Sequence, residues 1–247
     1  NGLFDDVDLK SKKLGADDQQ RNITISEVLK KLNDVDVLGH NGDIIGDAYE
    51  FLISQFASEA GKKAGEFYTP HEVSDMMARI AAIGQEDKQL FSVFDPTMGS
   101  GSLMLNIRNY LNYPESVKYH GQELNTTTFN LAKMNLILHG VDNEDIRLRN
   151  GDTLNKDWPT DEPYTFDSVV MNPPYSAKWS ADDTFLDDSR FNKYGKLAPK
   201  SKADFAFLLH GFYHLKDSGT MAIVLPHGVL FRGAAEGVIR QKLLEDG

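Results

Sequence analysis

From Phe91 onward, short apolar runs alternate with stretches of helical spacing, and that alternation fixes the class of fold. Phe91-Ser92-Val93-Phe94, Val117-Lys118-Tyr119-His120-Gly121-Gln122, Ile146-Arg147-Leu148-Arg149, Phe166 to Met171 and Thr220 to Leu225 each read as a strand. Between them, Ser102 to Tyr110, Thr126 to His139 and Ala203 to Leu215 read as helices. The middle helix has Asn125 or Thr126 as its cap and Gly140 beyond its end. Strands alternating with helices predict an α/β fold built on a doubly wound, mostly parallel sheet. A chain of 247 residues, 40% of them hydrophobic, can bury a core of this kind without staples.

Helices are expected ahead of the sheet. From Asp43 to Gly61 the apolar residues Ile44, Ala48, Phe51, Leu52 and Phe56 recur at spacings of three and four, and Gly61 is a plausible stop. A second helix is predicted after Thr69-Pro70, running through Val73, Met76, Met77 and Ile80. Thr69 would cap it, and Pro70 suits its first position. Residues 1–40 are polar, with helical spacing over Ser26 to Leu38, and read as a connector or the end of an N-terminal helical region. The catalytic domain is then expected over 41–247. The chain opens on Asn1 and closes on Glu245-Asp246-Gly247, which reads as the start of a turn, so a fragment lacking its C-terminal part is expected. The stretch from Ser176 to Lys202 has no clean periodicity, and connections of that length are often functional.

Composition removes several classes of function. There is no cysteine, hence no disulfide, no thiolate metal site and no cysteine nucleophile, and this composition suits a cytoplasmic protein. No apolar run approaches the ~20 residues of a membrane span, and no signal peptide opens the chain. The net charge of −11 counts against a stand-alone nucleic-acid binder. It leaves room for an enzyme whose partner supplies the phosphate contacts.

Four motifs carry chemistry, each at the C-terminal end of a successive strand. Asp95-Pro96-Thr97-Met98-Gly99-Ser100-Gly101-Ser102 joins the first strand to a helix, and its glycines allow close approach of a ligand to backbone amides. A dinucleotide fingerprint would need a third glycine where Met104 stands, and Asp95 favours a cationic or zwitterionic ligand over a pyrophosphate. Glu123 could accept both hydroxyls of a ribose; alone, the reading of a surface carboxylate near a helix start is favoured. Asp152 could accept from an adenine amine, or simply make an Asx turn. Asn172-Pro173-Pro174-Tyr175 follows the fourth strand. Asn172 and the Pro173 carbonyl offer two acceptors for the hydrogens of a planar amine, and Tyr175 offers a stacking face. Strand C-terminal ends share one edge of a parallel sheet, where ligands bind.

Together, Gly65-Glu66-Phe67-Tyr68-Thr69-Pro70, Asp95-Pro96-Thr97-Met98-Gly99-Ser100-Gly101 and Asn172-Pro173-Pro174-Tyr175 resemble an amino-methyltransferase. More narrowly, the chain resembles the modification subunit of type I restriction–modification systems, N6-adenine DNA methyltransferases. Asp47-Ala48-Tyr49-Glu50, Ala203-Asp204-Phe205-Ala206-Phe207 and Ile223 to Arg232 extend the likeness over roughly Gly42 to Leu244. The resemblance implies a Rossmann-like fold using S-adenosylmethionine, with no metal required. It implies that Glu66, Phe67, Tyr68, Thr69, Pro70 and His71 line the methionine end of the cofactor. Asp95, Gly99, Ser100, Gly101 and Ser102 would hold that end and the ribose side, Glu123 the ribose hydroxyls, and Asp152 would lie near the adenine. Asn172, Pro173 and Tyr175 would hold the target base. Ser102 stands where many relatives carry glycine. The implied partners are double-stranded DNA, a specificity subunit and a restriction subunit, in a hetero-oligomer with two modification subunits.

The amine of a base is a poor nucleophile, and two acceptors at its hydrogens favour positive charge building on nitrogen as it attacks. The base must leave the duplex to reach such a pocket. Absence of cysteine removes ring-carbon methylation of cytosine. Cytosine N4, a protein glutamine amide and an inactive cofactor-binding scaffold remain as alternatives. In the Ser176–Lys202 stretch, Lys178, Arg190, Lys193, Lys196, Lys200 and Lys202, interleaved with Phe191 and Tyr194, are candidates for DNA contact, against the reading of a solvated, mobile loop. The seven histidines show no metal-ligand spacing, and His210 and His214, four apart on a helix, read as packing or surface residues. Trp158 and Trp179 read as local packing, although Trp179 lies near enough to Asn172-Pro173-Pro174-Tyr175 to contact DNA.

Overall fold

The computed structural model describes residues 7–33, 42–59, 69–161, 164–175 and 177–246. Its strands are β1 (Phe91–Asp95), β2 (Val117–Glu123), β3 (Ile146–Asn150), β4 (Phe166–Met171) and β5 (Leu215–Ile223). They form one sheet in the order β3-β2-β1-β4-β5, and every pairing is parallel. The doubly wound α/β expectation holds.

Every residue of β1 and β4 is buried, because both faces of these central strands are covered. Alternate side chains divide between two layers. Phe91, Val93 and Val170 join the layer of α3 (His71–Ala82), α4 (Ser102–Asn106) and α5 (Thr126–Leu138). Phe94, Val169 and Met171 point the other way, towards α6 (Asp204–Tyr213). The chain winds from β1 outward through β2 to β3, then returns to place β4 on the other side of β1. The gap between the C-terminal ends of β1 and β4 is therefore the topological switch point, where connections diverge and a crevice opens.

Several boundaries differ from the sequence reading. The first described helix, α1, covers Asp18–Asn33, starting eight residues before Ser26, and anything beyond Asn33 lies outside the described residues until Gly42. Helix α2 covers Gly42–Glu59, but Phe51 and Leu52 are 61% and 50% exposed. Its buried side is instead marked by Gly46, which lies against His139, and by Ile53. The helix expected over Ser102 to Tyr110 is α-helical only to Asn106 and tightens to 3-10 geometry over Ile107–Tyr110. Strand β5 begins at Leu215 rather than Thr220. A register shift between Phe166 and Ser168 lets its polar opening pair with β4. The terminal helix α7 (Ala234–Glu245) carries only a weak apolar stripe, and the sequence reading did not anticipate it.

The stretch after Tyr175 is a packed lobe. The rings of Trp179, Phe185 and Phe191 lie 5.3–5.8 Å apart between centroids. Two 3-10 turns, Asp183–Leu186 and Asn192–Tyr194, shape it. Its stem is closed by bonds from the Trp179 amide to the Lys200 carbonyl (3.1 Å) and from the Ala203 amide to the Ala177 carbonyl (2.9 Å). Trp179 is a packing residue, as expected. Phe191 and Tyr194 are buried as well, so they do not interleave with the lysines on a binding face.

Candidate active site

The turn after β1 is built around an unusual carboxylate. Asp95 is 1% exposed and pairs in register with Gly121 in the middle of the sheet. Burial pushes its carboxyl up to about 8, and the nearby Glu123 charge adds to the rise, against a partly compensating bond from the Thr97 amide at 2.9 Å. The chain then reverses through Gly99 and Gly101, at φ 53° and 79°, conformations that favour glycine. Gly101 is the N-cap of α4 and offers no side chain to the helix amides.

Glu123 reaches this turn from β2. Its Oε2 accepts from the Gly99 amide at 3.2 Å and its Oε1 from the Asn125 amide at 2.8 Å. Burial raises its carboxyl too, opposed by those amide bonds. The structure thus brings Asp95, Gly99 and Glu123 together, two largely buried acids around one glycine turn. Ser100 and Ser102 are buried beside it, their hydroxyl oxygens 3.1 Å apart. Asn135 of α5 donates to the Ser100 carbonyl (3.1 Å) and to Ser102 Oγ (3.2 Å). The hydroxyl at position 102 is therefore satisfied inside the turn. Asn135 was not singled out from sequence; a polar residue in the interior of a mostly apolar helix was the available signal.

Asp152 is exposed and its Oδ1 accepts from the amides of Leu154 (3.0 Å) and Asn155 (3.3 Å), which is an Asx-type turn. Its neighbour Thr153 donates to the Pro96 carbonyl at 2.5 Å, tying the turn after β3 to the turn after β1.

Asn172 follows β4 on the other side of the switch point. Its Nδ2 donates to Thr69 Oγ1 at 3.3 Å. Its Oδ1 is buried and has no hydrogen-bond partner among the described residues. A buried carbonyl without a donor is costly, of order 1–3 kcal/mol. Tyr175 is 56% exposed and presents its ring on the same edge.

Other site expectations fare differently. Glu66, Phe67 and Tyr68 lie outside the described residues. Thr69 does not cap α3; Pro70 occupies the cap position and the Thr69 hydroxyl serves Asn172 instead. His71 is exposed and lines a 740 Å³ cavity with Glu50, Asn106, Arg108 and Asp145, apart from the Asp95 turn.

Arg190 is not a DNA contact. It is 2% exposed, and its guanidinium is bonded to Asp188 and to backbone carbonyls. Lys193 is exposed but pairs with Asp246 at 2.6 Å. It lines a pocket with Leu215 and Lys216, which places it at the N-terminal edge of β5, opposite the tetrad. Lys178, Lys196 and Lys200 are exposed and Lys202 is half-buried. His210 and His214 are fully buried and gather with Asp157, their ligand atoms within 4.8 Å of one another. These are residue types of a cation site, and the cation standing among them is Arg190, whose Nη1 lies 3.1 Å from His210 Nδ1.

With that geometry in place, comparison with known proteins assigns the chain. The family described as N-6 DNA Methylase matches residues 40–247. The chain belongs to the N-6 DNA methylase family. Among curated relatives, this family member is 42% identical over 259 residues to the type I restriction enzyme MpnII methylase subunit of Mycoplasma pneumoniae, covering 99% of this chain and 47% of that protein. It is 34% identical over 231 residues to the MjaVII methylase subunit of Methanocaldococcus jannaschii, covering 90% and 38%. The crystal structure of a type I restriction-modification system methyltransferase subunit from Streptococcus thermophilus superimposes with a TM-score of 0.94 at 64% identity, covering 98% of this chain and 52% of that one. The chain spans about half, or less, of the length of these relatives.

Proposed function

We propose that the protein transfers a methyl group from S-adenosylmethionine to the N6 amine of adenine in DNA. It would act as the modification subunit of a type I restriction–modification complex. The observation that carries this reading is the buried Oδ1 of Asn172, without a partner among the described residues, on an amide held at the switch point by Thr69. An acceptor fixed in that way suits the hydrogen of an incoming planar amine.

The donor set around the β1 turn fits the cofactor. A zwitterionic methionine end and a sulfonium suit two partly desolvated acids, Asp95 and Glu123, set around the Gly99 turn. Asp152 keeps Oδ2 for an adenine amine, since only its Oδ1 is engaged in the turn. When bound, S-adenosylmethionine supplies an electrophilic methyl on sulfur. The chain's own residues then orient the nucleophile. Asn172 Oδ1 and the Pro173 carbonyl accept the two amine hydrogens and stabilise positive charge as it builds on nitrogen. Tyr175 stacks on the base once it has left the duplex.

The partners proposed are duplex DNA, a specificity subunit that reads the sequence, and a restriction subunit, with two modification subunits in the complex. The named relatives and the net charge of −11 support dependence on a DNA-reading partner. The test is an Asn172→Ala variant of the full modification subunit, assayed with its specificity partner. Methyl transfer should vanish while S-adenosylmethionine binds with near-normal affinity. Retained transfer would remove Asn172 from the reaction.

A further inference from the structure

Arg190 is a buried group that the proposed reaction does not use, and it touches three parts of the protein at once. Its Nε and Nη2 grip the Asp188 carboxylate at 2.7–3.2 Å, anchoring it in the lobe after Tyr175. Its Nη1 donates to the Thr153 carbonyl at 3.0 Å and its Nη2 to the Leu154 carbonyl at 3.4 Å, in the turn that begins with Asp152. The same Nη1 reaches His210 Nδ1 on α6 at 3.1 Å. Asp157, also on the segment after β3, lies 3.8 Å from Nε. On the far side of that segment, Thr153 Oγ1 holds the Pro96 carbonyl at 2.5 Å, one residue from Asp95.

A continuous chain of contacts therefore runs from the Asp95 turn through Thr153 and Arg190 to Asp188 and the lobe. The lobe's stem starts two residues after Tyr175. Resting on the cofactor and substrate reading above, we propose that Arg190 is a positioning residue that couples cofactor occupancy of the Asp95–Asp152 side to the placement of the substrate-side lobe. A lysine could keep the charge but not the planar fork that spans Asp188 and two carbonyls. Desolvation also makes the arrangement two-sided. A buried charge whose partner shifts away is destabilised far more than a surface pair would be, so displacement at Thr153 is felt at Asp188.

The test is amide hydrogen exchange on the full modification subunit, with and without S-adenosylhomocysteine. In the wild type, the ligand should slow exchange over residues 177–202 by at least roughly fivefold, the low end of ordinary coupling between sites. In Arg190→Lys that slowing should disappear while protection over residues 95–102 persists and the ligand's Kd changes little. Thr153→Val removes the Pro96 link without touching Arg190, and should also weaken the lobe's response, so a poorly folded Arg190 variant does not end the test. A lobe that responds equally in both variants, or never responds in the wild type, overturns the inference alone. A wild type that does not bind S-adenosylhomocysteine overturns the cofactor reading and this inference with it.

Discussion

The Thr69 hydroxyl accepts a hydrogen bond from Asn172 Nδ2 at 3.3 Å, joining the start of α3 to the end of β4 across 103 residues. That bond fixes which way the Asn172 amide faces, and leaves Oδ1 as its acceptor atom. Thr69→Val should keep the fold and the cofactor affinity but free the amide to rotate. One neutral hydrogen bond is worth about 1 kcal/mol, so kcat should fall roughly fivefold with an unchanged cofactor Kd, measured by steady-state kinetics and calorimetry.

Asp95 gives cofactor binding a pH dependence. Its carboxyl is pushed up to about 8, so in the free protein it is largely protonated at neutral pH. A cationic ligand group favours the ionised form, so binding releases a proton and affinity should rise with pH up to about 8, then level. Below that point the slope should approach tenfold per pH unit. Asp95→Asn should weaken binding and flatten the profile. A flat profile in the wild type would show that the cofactor does not meet Asp95 ionised.

His120 bears on stability rather than on the reaction. It lies on β2 with both ring nitrogens buried, its ring 4.7 Å from that of Phe166. Burial, helped by the Arg147 charge, lowers it to about 4, so the native state holds it neutral. The unfolded chain binds the proton near 6.5. This contribution is therefore present above 6.5 and is lost as pH falls towards 4, at about 1.4 kcal/mol per pH unit. His120→Phe should reduce the fall in Tm over that window. An unaltered acid limb would mean that other groups set it.

Two lysines of the lobe lie in different places, Lys200 on the stem after Tyr175 and Lys193 beside the start of β5. Lys200 leaves the stem that begins just after Tyr175, and both Lys196 and Lys200 are exposed. Charge reversal of the two should lower DNA affinity and reduce the salt slope by about 0.9 for each phosphate that is no longer neutralised. Lys193→Gln should change neither, because Lys193 pairs with Asp246 beside the start of β5. Equal effects from both sets would contradict this division.

The parallel, doubly wound sheet and the positions of Asp95, Glu123 and Asn172 at strand ends were legible in the sequence because each follows a buried run, and the end of a parallel strand defines where its next residue stands; the order of the strands was not. Side-chain partners were not legible. Thr69 next to Pro70 has the local signature of a helix cap, yet its hydroxyl is taken by a residue on another element. Arg190 among lysines looks like a phosphate contact, but three acceptors distant in sequence, Thr153, Leu154 and His210, draw it into the interior. Phe51 and Leu52 fit a helical stripe, and only the docking of Gly46 on His139 shows that the helix is turned the other way.

The most direct test of the account is transfer of labelled methyl from S-adenosylmethionine by the full modification subunit to duplex DNA, with and without its specificity partner, followed by nucleoside analysis. The account predicts label in N6-methyladenine, dependent on the partner and lost in Asn172→Ala. Label in N4-methylcytosine, or in protein, would contradict it.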